Sequence, residues 1–318
     1  MKDQFNRSIN YMRLSITDRC NLRCFYCRPS NETDFLPSEE ILSYEELLRL
    51  VRIALNIGIT RFRLTGGEPL LRPGLAEFVA QIAAIPGIED LSLTTNGLRL
   101  QDSLEKLWQA GLRRINISLD TLDRKKYAAI TGSDSLEEVL PSIKQALKVG
   151  FDPVKINVVL LKGVNEDITD FVRLAFDWPL HIRFIELMEF SPVDGYFLSA
   201  ETVLEKLRQK GQLKLIQLPG SGPARYYQLE GMKGSLGFIT PYSHHFCLGC
   251  NRLRISAKGE LRTCLFAAKT YDLRSLLRNG ASNETIKEFL LAALAEKPAS
   301  WRQAKKTIKK QGLREIGG

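Results

Sequence analysis

Six short runs with β-strand character recur along the first two-thirds of the chain, separated by segments long enough for helices. The runs are MRLSIT at 12–17, RFRLTG at 61–66, LSLTTN at 91–96, RINISLD at 114–120, VKINVVL at 154–160 and HIRFIEL at 181–187. Strands that alternate with helices indicate successive βα units around a parallel sheet. The first helix has clear ends, because Ser43 and Glu46 can form a capping box and Gly58 can terminate it.

Each run alternates between apolar and polar residues, which is unusual because the strands of parallel sheets are normally apolar on both faces. The polar phase comprises Arg13, Ser15, Thr17, Arg61, Arg63, Thr65, Ser92, Thr94, Asn96, Asn116, Ser118, Asp120, Lys155, Asn157, His181 and Arg183. If helices cover the apolar phase, the polar phase faces inward, where unpaired charges are costly. We therefore predict an α/β fold with an incomplete, laterally open barrel around an anionic ligand. The alternative is a half-solvated sheet.

The pattern changes after about residue 200. ETVLEKLRQKG predicts one more helix, and RYYQLEGMKGSLGFIT predicts short antiparallel strands with glycine turns. A hairpin is predicted in RLRISAKGELRTCLF, turning at Lys258 and Gly259. The end of the chain is basic and helical in pattern. We expect a partial barrel over residues 1–220 and a smaller α+β C-terminal module over residues 221–318.

The first cysteine set, Cys20-x3-Cys24-x2-Cys27, directly follows the first predicted strand. Loops at the carboxyl ends of barrel strands build active sites. Three closely spaced thiols suit a cuboidal iron-sulfur cluster, for which thiolates are the usual ligands. Structural zinc is the alternative, but a closed zinc site takes four ligands, and no histidine or fourth cysteine lies nearby in the sequence.

The second set is Cys247-x2-Cys250 with Cys264, which the predicted hairpin would bring back toward Cys250. A zinc site with His244 or His245 as the fourth ligand is the alternative here. Beside this set, two arginines alternate on one predicted strand, a spacing that can bind phosphate oxygens. They are Arg252 and Arg254.

The net charge of +9 over 318 residues allows nucleic acid, an anionic membrane surface or a small polyanion as partner. Because much of the patterned charge falls on the presumed inner face, a small polyanion is favoured. No run approaches the roughly 18 apolar residues of a membrane span, and the start MKDQFNRSIN lacks an apolar signal core. We expect a cytoplasmic protein with neither membrane nor nucleic acid as partner.

The first set resembles the motif of the radical S-adenosylmethionine (SAM) enzymes, in which the unique iron of a [4Fe-4S] cluster chelates SAM. Tyr26, just before the last cysteine, and TGGEP at 65–69 also match. With LTTNG, RRINISLDTLD, IRFIELM, FCLGCNRLRIS and the terminal IGG in order, the whole chain resembles the GTP 3′,8-cyclase family of molybdenum cofactor biosynthesis. This resemblance implies a (βα)6 partial barrel closed by the C-terminal module and two [4Fe-4S] clusters, in preference to zinc.

The resemblance also implies residue roles. The first set would hold the SAM cluster, and the second set a cluster whose open iron meets the guanine of GTP. The SAM site would be lined by Tyr26, Gly67, Ser118 and Met188. The substrate side would comprise Arg13, Arg61, Arg63, Thr94, Lys155, Arg183, Arg252, Leu253 and Arg254. The terminal glycines would enter the active site and, with Arg252 and Arg254, are the catalytic candidates; they are Gly317 and Gly318. Before them, Leu-Arg-Glu stands at 313–315, where the family often has a methionine.

In the implied reaction, an electron from the first cluster cleaves SAM to methionine and a 5′-deoxyadenosyl radical, which abstracts the 3′ hydrogen of GTP. The C3′ radical adds to C8 of guanine, and reduction with protonation gives 3′,8-cyclo-7,8-dihydro-GTP. The implied partners are GTP, an external one-electron donor of the flavodoxin or ferredoxin type, and the cyclic pyranopterin monophosphate synthase that uses the product. The resemblance also suggests a homodimer.

Two other functions compete with this interpretation. One is a radical SAM enzyme that uses an auxiliary cluster to modify a peptide, and the other is a nonenzymatic iron-sulfur or zinc protein that binds nucleic acid. A cationic inner face favours a triphosphate over a peptide, whereas a nucleic-acid-binding protein would carry its basic residues on the outside.

Overall fold

The computed structural model describes residues 1–28, 35–188, 193–218 and 222–304. The strands in these residues are β1 (Tyr11–Ser15), β2 (Arg61–Thr65), β3 (Asp90–Thr95), β4 (Arg114–Ser118), β5 (Val154–Leu160), β6 (His181–Glu186), β7 (Lys214–Ile216), β8 (Arg225–Gln228), β9 (Ser235–Ile239), β10 (Arg252–Ile255), β11 (Glu260–Arg262) and β12 (Tyr271–Asp272). The six predicted strands are confirmed as β1 to β6, with ends that differ by no more than a few residues.

Helices alternate with the first six strands and then cover the C-terminal part. They are α1 (Tyr44–Asn56), α2 (Leu75–Ala83), α3 (Leu104–Gln109), α4 (Arg124–Thr131), α5 (Leu136–Val149), α6 (Thr169–Asp177), α7 (Ala200–Arg208), α8 (Leu273–Arg278), α9 (Asn283–Ala295) and α10 (Trp301–Ala304). The predicted capping box of α1 is present, since the Ser43 side chain accepts from the Glu46 amide and the Glu46 carboxylate accepts from the Ser43 amide. In the described ranges, no helix is long and apolar enough to cross a membrane.

All twelve strands belong to one sheet, in the order β12-β11-β10-β1-β2-β3-β4-β5-β6-β9-β8-β7. Strands β1 to β6 are parallel and lie side by side in sequence order. The two end strands, β12 and β7, are not paired with each other in the described part of the chain. The predicted α/β partial barrel, open at one side, is confirmed.

The C-terminal part is more closely joined to the barrel than the sequence indicated. Strand β10 pairs in parallel with β1, so that Arg13 lies opposite Arg254, and β9 pairs in parallel with β6. The predicted antiparallel hairpins, β8–β9 and β10–β11, therefore each add one strand to an edge of the parallel sheet. The division into residues 1–220 and 221–318 remains a prediction.

The predicted phase of the strands is confirmed. The apolar side chains pack under the helices, and Leu14, Phe62 and Phe184 are all 0% exposed. Cations of the opposite phase are also withdrawn from solvent, since Lys155 is 6% and Arg183 4% exposed. The half-solvated sheet is therefore wrong: the polar face curves around an interior cavity.

Candidate active site

Both cysteine sets open into a single cavity of about 340 Å³ on the polar face of the sheet. The first set lies in the loop after β1, at the carboxyl end of that strand, whereas Cys250 lies just before β10. Since β10 runs parallel to β1 with Arg252 opposite Tyr11, Cys250 lies at the amino end of this strand pair. The two sets therefore lie at opposite ends of the cavity, with the strand side chains between them.

The loop of the first set is held by main-chain bonds to the end of α4. The amide of Arg23 donates to the Thr131 carbonyl at 2.8 Å, and that of Phe25 to the Ile130 carbonyl at 3.1 Å. Burial, and next the neighbouring thiol of Cys27, raise the pKa of the Cys24 thiol well above its usual range. Binding to a cationic cluster must supply the driving force that ionises this thiol, because metal ligation requires the thiolate.

The Gly66-Gly67 turn after β2 packs directly against the main chain that leads into Cys20. The Gly67 amide donates to the Thr17 carbonyl at 2.8 Å, and the Glu68 amide to the Arg19 carbonyl at 2.7 Å. A Cβ on Gly67 would lie 2.2 Å from the Arg19 carbonyl oxygen. Only glycine fits, so this turn fixes the position of the first set.

Glu68, the acidic residue of the TGGEP motif, has a structural role in the site that the motif alone does not indicate. Its side chain is buried and accepts hydrogen bonds from the amides of Leu70 and Asn96, at 3.0 and 2.7 Å, and from the Thr95 hydroxyl at 2.7 Å. It thus ties the glycine turn to the end of β3. Burial, only partly offset by these bonds, raises the pKa of Glu68 to about 7.

Glu68→Gln is expected to gain stability relative to the native chain as the pH rises. Because the pKa of Glu68 is raised in the folded state, the native chain is most stable below the unfolded value of 4.5 and loses stability as the pH rises through about 7. The difference in unfolding free energy should change by up to about 3 kcal/mol between pH 5 and pH 8. Urea unfolding of both proteins across this range checks the result, and parallel curves would contradict the role given to burial.

The second set lies among cations. Burial opposes ionisation of Cys250, but the nearby charges of Arg252 and Lys297 prevail and lower the pKa of this thiol to about 6. Burial raises the pKa of Cys264. Within the described residues, no three side chains of His, Cys, Asp or Glu are placed to hold a single metal ion. A closed zinc site needs four ligands around one ion, whereas a cluster binds each thiolate at a different iron.

The segment that leads to the second set is fixed by Glu186, at the end of β6. This fully buried carboxylate accepts from the amides of Tyr242 and Ser243, both at 3.2 Å, and from the Ala200 amide at the start of α7. The second set is thereby tied to the barrel at β6 as well as at β1.

Between the two sets, the strands present a group of cations that we term the cationic belt. It comprises Arg13, Arg63, Lys155, Arg183, Arg252 and Arg254. With Arg114 and Arg262, eight cations line the cavity against three carboxylates, those of Asp90, Asp120 and Glu186. Burial, followed by the charge of Arg183, lowers the pKa of Lys155 to about 7. Such an excess of buried positive charge requires an anionic ligand.

The other predicted residues differ in whether they reach the cavity. Tyr26, Gly67, Thr94, Ser118 and Met188 all line the cavity. Arg61 does not, because its guanidinium points toward Glu89, with Nε 3.1 Å from Oε2. The Leu253 side chain faces away from the cavity into the hydrophobic core, since it alternates with Arg252 and Arg254 along β10. His181 bonds to Ser235 through Nδ1 and is also absent from the lining.

Several predictions concern residues outside the described part of the chain. The terminal Gly317 and Gly318, and the Leu-Arg-Glu segment before them, lie there. Their roles stay predictions.

One further residue of the cavity, Tyr11, was missed, and Asp120 was predicted only as a member of the inward-facing polar phase. The Tyr11 hydroxyl is buried among the cations, with no hydrogen-bond partner in the described residues. Asp120 accepts a 2.6 Å bond from the Tyr26 hydroxyl and a 2.8 Å bond from the Val159 amide, and burial raises the pKa of Asp120 to about 6. Tyr11 shares the phase of Arg13, a signal that could have identified it.

Comparisons with known proteins agree with this geometry. Residues 14–175 match the model of the radical SAM superfamily, and residues 180–303 match the family described as Molybdenum Cofactor Synthesis C. The GTP 3′,8-cyclase of Thermodesulfovibrio yellowstonii is 45% identical over 324 aligned residues and is covered fully, as is this chain. That of Syntrophomonas wolfei is 48% identical over 307 residues, 94% of each chain.

Among solved structures, Streptococcus suis SuiB bound to precursor peptide SuiA aligns with a TM-score of 0.64 and 16% identity, over 98% of this chain and 71% of that one. At such low identity the likeness concerns the fold alone. The partial barrel and the three-cysteine loop after β1 define a radical SAM enzyme. Within that superfamily, the chain belongs to the GTP 3′,8-cyclase family.

This family uses two [4Fe-4S] clusters and SAM, and the two cysteine sets fit that requirement. Each set supplies three thiols, none of the six forms a disulfide, and all six line the cavity. Each set would leave one iron of its cluster open toward the cavity.

Proposed function

We propose that this chain converts GTP to 3′,8-cyclo-7,8-dihydro-GTP, in the first step of molybdenum cofactor biosynthesis. The observation that carries the proposal is the cationic belt between two three-cysteine sets within one cavity. When bound, SAM and the clusters supply the radical and the electrons. The chain's own task is to bind the nucleotide between the sets, orient it and exclude water.

The proposed residue roles come from family membership, and the position of most of these residues in the cavity supports them. Cys20, Cys24 and Cys27 would hold the SAM cluster, and the cavity residues Tyr26, Gly67, Ser118 and Met188 would line the SAM site. The cationic belt and Thr94 would bind GTP, with the arginine forks well suited to phosphate oxygens. Leu253 would contribute only through its main chain, and the geometry gives no support for Arg61. Gly317 and Gly318 are kept as candidates from family membership.

The second set would bind its cluster next to the guanine, through Cys247, Cys250 and Cys264. Aromatic side chains pack at this end of the cavity, where the rings of Tyr242 and Trp301 lie 5.2 Å apart and those of Phe266 and Trp301 5.6 Å apart. Such packing shields this end of the cavity from water, and a carbon-centred radical requires such shielding.

The proposal also includes protein partners and a cellular location. We include an external flavodoxin- or ferredoxin-like electron donor, the cyclic pyranopterin monophosphate synthase that uses the product, a homodimer, and a cytoplasmic location. Exposed Arg19 and Arg23 flank Cys20, which supports docking of an acidic electron donor at the first set.

The affinity for GTP is expected to fall as the pH rises above 7. Lys155, with its pKa lowered to about 7, is increasingly neutral above that pH in the free enzyme, and binding the triphosphate then requires it to take up a proton. The dissociation constant should rise by up to about tenfold per pH unit between pH 7 and pH 9. Titration of the enzyme with GTP in the absence of SAM measures this dissociation constant at each pH. Lys155→Arg should flatten the profile, and an equally steep profile in that variant would refute the assignment.

The function is tested by anaerobic reconstitution followed by an assay with SAM and GTP. We expect about eight irons per chain, two four-iron clusters, and release of 5′-deoxyadenosine only when GTP is present. One cluster together with zinc, or equal release without GTP, would refute the proposal. Equal turnover with a peptide in place of GTP would favour the peptide-modifying alternative.

A further inference from the structure

Lys297, just after α9, is a buried cation that the proposed reaction leaves without a role. Its side chain is 1% exposed. The ammonium donates to the main-chain carbonyl of Arg252 at 2.9 Å and to that of Thr263. Arg252 follows Cys250 by two residues, and Thr263 directly precedes Cys264. A single side chain therefore connects the two strands that carry these cysteines.

The position of Lys297 coincides with the point at which the hairpin opens. The paired residues of β10 and β11 are Ile255 with Leu261 and Arg254 with Arg262. Beyond these pairs, the carbonyls of Arg252 and Thr263 both accept a hydrogen bond from the Lys297 ammonium. The lysine thus bridges the two segments just beyond the last paired residues, next to Cys250 and Cys264, which line the cavity.

The charge of Lys297 has no carboxylate to balance it. Among the ion pairs of the described residues, none includes Lys297, and the nearby Arg7 is itself paired with Asp3 at 2.6 Å. Burial lowers the pKa of Lys297, and Cys250 and Cys264, once ionised as cluster ligands, oppose that shift. A buried ammonium is tolerated only when hydrogen-bonded and neutralised, so these thiolates and what they bind are its counterion.

Arg7 fixes the segment that follows Lys297. Its guanidinium donates to the carbonyls of Cys247, Pro298 and Ala299, at 3.2, 2.8 and 3.1 Å. The segment that follows Lys297 is therefore fixed, and Lys297 cannot move away from the second set unless these hydrogen bonds break.

We propose that Lys297 is the positioning residue and fixed counter-charge of the cluster at the second set, spacing its ligands and raising its reduction potential. The inference rests on the proposed assignment of a cluster to Cys247, Cys250 and Cys264. A positive charge close to a cluster favours the reduced, more negative form, and net charge and hydrogen bonding are what set cluster potentials.

The test is an anaerobic redox titration of the reconstituted holoenzyme, followed by electron paramagnetic resonance. Cys264→Ala first identifies the signal of the second cluster as the one that disappears. Lys297→Met should move that signal to more negative potential and leave the first cluster's midpoint unchanged. Lys297→Arg, which keeps the charge, should restore the native midpoint. Lys269→Met is the matched control, because this exposed lysine pairs with Glu296 beside Lys297, and it should leave both midpoints unchanged.

The outcomes separate the two proposals. An unchanged second midpoint in Lys297→Met with full iron content overturns the role of Lys297 and leaves the cluster assignment intact. Loss of about four irons in Lys297→Met but not in Lys297→Arg supports the proposed role of Lys297, because the positive charge then decides whether the cluster binds. An equal loss of iron in both variants overturns the proposed role of Lys297. If Cys264→Ala keeps all its iron and both signals, the cluster assignment in the proposed function has failed instead.

Discussion

Cys24→Ala is expected to abolish the cleavage of SAM while leaving GTP binding in place. Removing one thiolate of the first set should reduce iron from about eight to about four per chain, because a four-iron cluster is not retained by the two remaining ligands. The second set lies at the other end of the cavity and keeps all its ligands. Iron analysis, 5′-deoxyadenosine release and GTP titration measure the three effects.

Cys264→Ala is the matched variant for that experiment. It should also lose about four irons, but it should chiefly impair GTP binding and product formation rather than the capacity to cleave SAM. If Cys24→Ala kept its full iron content and still released 5′-deoxyadenosine, the first set would not be the SAM site. If Cys264→Ala still formed the cyclic product, the role given to the second cluster would be wrong.

Gly67→Ala should lower the rate of SAM cleavage by at least about 100-fold, since displacements near 1 Å at a reacting centre have effects of that size. The new Cβ would lie 2.2 Å from the Arg19 carbonyl oxygen and 2.7 Å from that of Asp18. Both are main-chain atoms that cannot rotate away, so the loop leading into Cys20 must move. Iron content and the rate of 5′-deoxyadenosine formation, measured together, distinguish a displaced cluster from a lost one.

Gly163→Ala is the control for a destabilising glycine substitution that creates no steric clash. Gly163 has a φ of +74° and its Cβ would meet nothing within 4 Å, and the residue is not part of the cavity lining. Alanine there should cost only about 1–2 kcal/mol of stability and leave the rate intact. A Gly67→Ala enzyme as active as Gly163→Ala would show that the turn does not position the first set.

Much of the barrel could be predicted because its signals are local. The alternation along each strand correctly predicted which face of the sheet is buried under the helices. It also predicted the cationic interior, because side chains of the other phase must then lie on the opposite face of the sheet. The same reasoning misplaced Arg61, whose guanidinium turns toward Glu89 instead of the cavity. Strand phase fixes the side of the sheet on which a side chain starts, but a long side chain can still be drawn away by a carboxylate on a neighbouring strand.

The relation between the two cysteine sets could not be predicted from the residues alone. It depends on β10 pairing in parallel with β1, and no local pattern specifies a partner so distant in the chain. The structural roles of Glu68, within the TGGEP motif, and of Lys297 were missed for a related reason. Each acts through main-chain groups of other segments, which carry no sequence signal.

The pairing of β1 with β10 has a consequence for how the protein is made. During synthesis, β1 and the first cysteine set leave the ribosome early, whereas the strand that completes the neighbouring wall of the cavity is among the last to appear. Until then, one edge of β1 is unpaired, and exposed strand edges promote aggregation. The segment that carries the first cysteine set is therefore synthesised before the strand that completes the cavity wall beside it, and the edge of β1 stays unpaired until β10 follows.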